Sequence, residues 1–139
     1  MTRSPDGPAE ISVPARLIEV RRLAEYLRKV CQTSGVDEVA ISDCELALVE
    51  AANNVAEHGH AGRPEGKMTL SVQIGDGMVR MELRDRGDPV PEGQFLRRGI
   101  VSREAPRGRG TGIIQACIDV VDYARKDGIN RLIMTKRLD

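Results

Sequence analysis

Three groups of residues in this 139-residue chain have the types and spacing to do chemistry. The first is Glu50 and Asn54, within Leu46-Ala47-Leu48-Val49-Glu50-Ala51-Ala52-Asn53-Asn54-Val55-Ala56. On a helix, a separation of four places both on one face. A carboxylate in an apolar setting must neutralise, pair or face a wet site. Beside an amide, it can hold a hydrated Mg²⁺, which keeps several waters, takes few protein ligands and shares phosphate oxygens. The plain alternative is that Glu50 pairs with an arginine and Asn54 caps a neighbouring backbone, and the pair by itself favours that alternative.

The second group is Asp85 with Gly87. Counting by two from Val79, Met81 and Leu83 puts Asp85 on the apolar face of a strand that ends where the chain turns at Gly87. A buried carboxylate there suits an amino donor such as adenine N6. A turn-starting aspartate has the same appearance. The third group is Arg107-Gly108-Arg109-Gly110-Thr111-Gly112, which runs into Ile113-Ile114-Gln115-Ala116-Cys117-Ile118. Glycines let N–H groups crowd a ligand, a helix N-terminus adds donors and a positive dipole, and the arginines add charge for phosphate. The string lacks both the GK[ST] ending of a Walker loop and the G-x-G-x-x-G of a dinucleotide fingerprint. A glycine-rich linker is the bland reading, and the direct fusion to an apolar helix favours phosphate binding.

These residues need elements to hold them. Leu17, Val20, Ala24, Leu27 and Cys31 recur at helical steps and predict an amphipathic helix over 17–32, after a short edge strand over 11–15. Arg21, Arg22, Arg28 and Lys29 fall off that stripe and read as a solvated face. Ser42-Asp43-Cys44-Glu45 has the form of a capping box, so the helix carrying Glu50 and Asn54 is expected to start at Ser42 and run to about His58, with room for a short turn of helix before it over 36–40. Apolar residues surround it almost entirely, which predicts a buried helix. Residues 69–74 and 78–85 alternate about Asp76-Gly77 and predict a hairpin. Residues 86–108 carry no period and read as a long functional loop. A helix over 111–120 and strands over 121–126 and 131–137, joined at Asp127-Gly128, complete one α/β domain over 10–139 behind a disordered tail, 1–9.

Composition sets the bounds. Lys+Arg and Asp+Glu are both 21, so bulk charge gives no support for a nucleic-acid partner. Two Tyr, one Phe and no Trp argue against base-stacking platforms. Three cysteines without CxxC spacing suit free thiols in a reducing cytoplasm, and two histidines make no zinc pattern. The first eight residues are not a signal peptide, and no run of about 18 apolar residues predicts a membrane span.

Taken in order, a helix with E-x-x-x-N, a hairpin ending D-x-G, a loop and a G-x-G turn opening a helix resemble the GHKL ATPase superfamily. This group includes the gyrase B ATPase domain and the histidine-kinase catalytic domain. Within it, the chain resembles the anti-sigma-factor serine kinases over about residues 9–138. Residues 45–58 resemble their N box, Asp85-Arg86-Gly87-Asp88-Pro89 their adenine-binding box, Gly108-Arg109-Gly110-Thr111-Gly112 the end of their ATP lid, and 131–138 their closing strand.

The resemblance implies a histidine-kinase-like ATPase fold: a two-layer α/β sandwich, with a mixed, mostly antiparallel sheet covered on one face by about three helices. It implies ATP and Mg²⁺ as cofactors, Glu50 as general base on a protein hydroxyl, and Asn54 as Mg²⁺ ligand. Asp85 would bind adenine N6, with Gly87 allowing close approach. Arg109, Gly110, Thr111 and Gly112 would wrap the phosphates, and 88–107 would form the lid. His58 reads as structural. The implied partners are a sigma factor, a STAS-domain antagonist and a second copy of the chain, with no direct nucleic acid and no membrane.

Three departures stand out. Asn53 adjoins Asn54, Thr111 and Gly112 stand where leucine is frequent, and the box before the lid lacks a second glycine. The kinase reading competes with a nucleotide-binding interaction module of the same fold that transfers no phosphate. A severed histidine-kinase catalytic domain carries little weight, because neither His58 nor His60 precedes a second long helix.

Overall fold

The computed structural model describes residues 9–59, 66–89 and 109–138. The expected tail except Ala9, the expected lid beyond Pro89, and Arg107 and Gly108 lie outside the described residues. Strand β1 (Ala9–Pro14) leads through a 3-10 turn (Leu17–Glu19) into α1 (Val20–Thr33). Helix α2 (Glu38–Asn54) follows and closes in one π turn (Val55–Gly59). The hairpin β2 (Lys67–Gly75) and β3 (Met78–Asp85), helix α3 (Arg109–Cys117), and the hairpin β4 (Val120–Lys126) and β5 (Ile129–Arg137) complete it. Both hairpin turns put Asp and Gly in the left-handed region, at φ 54° and 73° for Asp76-Gly77 and 55° and 77° for Asp127-Gly128. Asp-Gly reaches that geometry at little cost, and its twist matches that of the strands.

The strand order is β1-β2-β3-β5-β4 and every pairing is antiparallel, so no parallel pair is present among the described residues. The reason is topological. The β3–α3–β4 crossover makes β3 and β4 parallel in direction, but β5 inserts between them and pairs antiparallel to both.

The face toward the helices is built in rungs. Ala9, Val72, Met81, Met134 and Val121 align across the five strands, and Ile11, Leu70, Leu83, Leu132 and Tyr123 form the next rung. Leu23, Leu27 and Leu48 from the helices are fully buried with these side chains in one core. The opposite face is polar: Ser12 bonds Thr69, Glu10 accepts from Ser71 and Arg84, and Arg131 pairs with Glu82.

Two expectations for α2 are corrected. The helix starts at Glu38 rather than Ser42, because Asp37 caps it: Asp37 Oδ1 accepts the Ala40 N–H at 2.8 Å, an interaction worth about 1 kcal/mol. The residues of the expected capping box act elsewhere, with Ser42 donating to Glu38 at 3.2 Å and Glu45 pairing with Arg28. Nor is α2 wholly buried. Ala40, Ile41, Cys44, Ala47, Leu48, Ala51 and Ala52 are buried, but Val39 is 75% and Leu46 46% exposed. The helix packs against α1 and α3, and its outward ridge stays open.

Each helix carries one free cysteine, Cys31, Cys44 and Cys117. Burial pushes the Cys31 thiol from 9.0 up to about 11, and burial and then the nearby Cys31 push Cys44 up to about 12. The hydrogen bond to Asp43 raises Lys136 in the same sense. A group whose pKa is raised by folding stabilises fully below its unfolded pKa and loses that contribution as pH climbs through the folded value. Glu10, lowered by hydrogen bonds from Arg84 and then Ser71, and Glu38, lowered by Arg28, behave oppositely. Their contribution is present above the unfolded value of 4.5 and is lost below it. Denaturant melts are therefore expected to show a plateau between about pH 5 and 9 that falls on both sides. A Cys31→Ala/Cys44→Ala variant should show a shallower alkaline limb, and an unchanged limb would place the alkaline transition elsewhere.

Candidate functional site

Three ties orient the helices over the sheet. Lys136 Nζ donates to Asp43 Oδ2 at 2.9 Å and holds the first half of α2 to the last residues of β5. The Asp119 N–H donates to the Thr135 carbonyl at 3.0 Å, and Asp119 accepts the Arg137 N–H at 2.6 Å, which anchors the exit of α3 at that same end. From Asp43 to Asn54 the helix rises eleven residues, about 16 Å. From Lys136 back to Asn130 is six residues of strand, about 20 Å. The C-terminal turn of α2, the N-terminus of α3 and the end of β3 therefore lie toward the other end of the sandwich. Glu50, Asn54, Asp85, Gly87 and the Arg109–Gly112 backbone, 35 or more residues apart between groups in some cases, collect there.

Glu50 and Asn54 are half-buried on α2. Among the described residues neither side chain has a hydrogen-bond or ion-pair partner, so the arginine pair and backbone cap that would make them structural are not found there. Asn53 is half-buried too, one position round the helix. His58 belongs to the π turn that ends α2.

Asp85 is 7% exposed and stands in the middle of a rung that starts apolar, with Val13 and Met68, and continues polar, through Asp85 and Asn130 to Arg125. Its Oδ1 accepts the Gly87 N–H at 2.7 Å and the Asn130 amide at 3.0 Å. Asp85 thus sits on the buried face and also starts the turn, so the two sequence readings describe one residue. Gly87 is buried.

Helix α3 begins at Arg109, two residues before the expected Thr111, so Arg109 and Gly110 form its first turn instead of preceding it. Helix α3 as described thus opens within the glycine-rich string, and the first N–H groups of an α-helix lack intrahelical acceptors. Gly112 is half-buried and Ile114 fully buried, which fixes α3 against α2. Among the described residues no cluster of three or more His, Cys, Asp or Glu could hold a metal, and a hydrated Mg²⁺ shared with phosphates needs fewer. An acid and an amide on one face of α2, with the start of α3 and an anchored carboxylate toward the same end of the sandwich, are the kinds of group that a Mg²⁺-nucleotide takes.

Asn130, Tyr123 and Arg125 were not singled out by the sequence. The signal was available for Asn130: with Leu132 and Met134 it alternates onto the buried face, the same anomaly that marked Asp85. The expected strand began one residue later, at Arg131, and so excluded it.

A five-stranded antiparallel sheet under three helices, with these groups at one end, defines a histidine-kinase-like ATPase domain. The profile of the family "Histidine kinase-like ATPase domain" matches residues 13–136, and the chain belongs to that family. It is similar to the anti-sigma F factor of Geobacillus stearothermophilus, 27% identical over 84 residues, covering 58% of this chain and 58% of that protein. The anti-sigma F factor of Bacillus cytotoxicus is 27% identical over 105 residues, covering 70% of each. Among solved structures, that of the RsbU and RsbW domains of a Mycobacterium tuberculosis protein matches with TM-score 0.71 at 24% identity, covering 98% of this chain and 34% of that one. The catalytic domain of histidine kinase ThkA matches with TM-score 0.57 at 15% identity, covering 93% and 97%. At those identities the structural likeness is one of fold. No helix among the described residues is long and apolar enough to cross a membrane.

Proposed function

We propose that this chain binds ATP with Mg²⁺, phosphorylates a serine or threonine of a STAS-type antagonist, and acts as an anti-sigma factor in a partner-switching pathway in the cytoplasm. The observation that carries this is Glu50 with Asn54: an acid and an amide on one helix face, without protein partners among the described residues, at the end of the sandwich that also holds Asp85 and the α3 N-terminus. The relatives named anti-sigma F factor support the choice of partner class.

In this reading Asp85 accepts from the adenine amino group and Gly87 keeps the approach close. Asn54 holds Mg²⁺, which neutralises charge on the phosphates when bound. The N–H groups of Arg109, Gly110, Thr111 and Gly112, with the Arg109 charge, bind phosphate oxygens. Glu50 accepts the proton of the substrate hydroxyl as its oxygen bonds to the γ-phosphorus. The bond from that phosphorus to the bridging oxygen breaks, and ADP leaves with the electron pair.

The test is transfer of labelled γ-phosphate from ATP to purified STAS antagonists, with sigma-factor binding measured in parallel. Label on a serine or threonine is the expected result. Sigma binding without label on any cognate antagonist would replace the kinase with a nucleotide-regulated interaction module.

A further inference from the structure

Asn130 occupies the inward face of β5, directly across from Asp85, and is 3% exposed. Its neighbours on that face, Leu132 and Met134, are buried and apolar. An amide in such a place persists only where its hydrogen bonds are met. Here they are met many times over. The amide nitrogen lies 3.0 Å from Asp85 Oδ1, 3.2 Å from the Gly87 carbonyl and 3.2 Å from the Asp88 carbonyl. The amide oxygen accepts from the Tyr123 hydroxyl at 2.7 Å and from Arg125 Nη1 at 2.8 Å. Arg125 Nη1 also donates to the Gly87 carbonyl at 2.9 Å.

The orientation of this amide is not arbitrary. A guanidinium can only donate, so the side of Asn130 that meets Arg125 must be its oxygen. The nitrogen is then forced toward Asp85 and the two carbonyls of the turn. One oxygen of Asp85 therefore receives two N–H donors, from Asn130 and from Gly87, and the plane of the carboxylate is fixed. The brace is set by register: the Asp127-Gly128 turn places Arg125 opposite Asn130 and Tyr123 opposite Leu132.

We propose that Asn130, oriented by Arg125 and Tyr123, is a positioning residue for Asp85, so that preference for a 6-aminopurine is set by β4 and β5 as well as by β3. This rests on the reading of Asp85 as the acceptor for the base. Removing the brace takes one of the two N–H donors from Asp85 Oδ1 and leaves the Gly87 N–H, so the carboxylate plane is less tightly held and its hydrogen bond to the amino group weakens while the rest of the nucleotide contacts remain.

The test compares dissociation constants for ATP and for purine riboside triphosphate, which lacks the 6-amino group, in wild type, Asn130→Ala, Asn130→Asp, Arg125→Met and Tyr123→Phe. Wild type is expected to prefer ATP by about 10-fold or more, the worth of a hydrogen bond to a charged group. In Asn130→Ala and Asn130→Asp that ratio should fall toward one, with binding of purine riboside triphosphate changed by less than about 3-fold. Arg125→Met, at an exposed position, and Tyr123→Phe, which removes one hydroxyl, should each lower the ratio in part. They keep the test alive if an Asn130 variant does not fold. Variants that keep the wild-type ratio, or lose both ligands equally, overturn the positioning role and leave Asn130 structural. A wild type that binds ATP and purine riboside triphosphate equally removes Asp85 as the base acceptor, and this proposal falls with it. A wild type that binds neither ligand overturns the ATP reading itself.

Discussion

Asp85→Asn is expected to weaken ATP binding by about 10- to 100-fold, with or without Mg²⁺, because a hydrogen bond to a charged acceptor contributes about 1.5–3 kcal/mol. The substitution keeps the shape of the side chain. The Gly87 N–H and the Asn130 amide both donate to Oδ1, so the asparagine oxygen must take that place. Its NH₂ then occupies the other position of the former carboxylate, and a donor meets the donor of the base. Calorimetry in both metal conditions reads the loss, and a thermal melt separates it from any weakening of the turn. Undiminished affinity would mean that the base is read elsewhere and that Asp85 serves only to start the turn.

Glu50→Gln is expected to slow phosphoryl transfer by about 10²- to 10⁴-fold, the span that a positioned general base supplies. Glutamine keeps the length and half-buried setting of the side chain on α2 but cannot take a proton. ATP affinity should therefore change by no more than about 2-fold, and Asn54→Ala, by contrast, should lose the Mg²⁺-dependent part of binding. Single-turnover assays with saturating ATP isolate the chemical step from binding. A Glu50→Gln protein that transfers phosphate at the wild-type rate would show that Glu50 is not the base. The neighbouring half-buried Asn53 offers a control for register: Asn53→Ala should leave the Mg²⁺ effect intact.

The local pattern of the chain was informative where the physics is local. Alternation and two Asp-Gly turns fixed both hairpins within a few residues, since the side-chain period of a strand and the φ > 0 demand of a tight turn are written in neighbouring residues. The face shared by Glu50 and Asn54 follows from helical period alone. The place of Asp85 on an apolar face follows from counting by two, and it proved buried.

Long-range partners were not legible in that way. The cap that sets the start of α2 at Glu38 is local, Asp37 on the Ala40 N–H, but that Glu45 of the expected capping box is taken by Arg28 is decided by another helix. The open ridge of Val39 and Leu46 depends on which sides of α2 its neighbours cover. The insertion of β5 between β3 and β4 depends on chain topology, and only that insertion brings Asn130 against Asp85 across 45 residues of sequence. Sequence by itself determined the elements, the two turns and the residues able to do chemistry, because each of these is set within a few residues. Tertiary structure decided which ends of those elements meet and what braces Asp85, because register and layer order arise from contacts between distant segments.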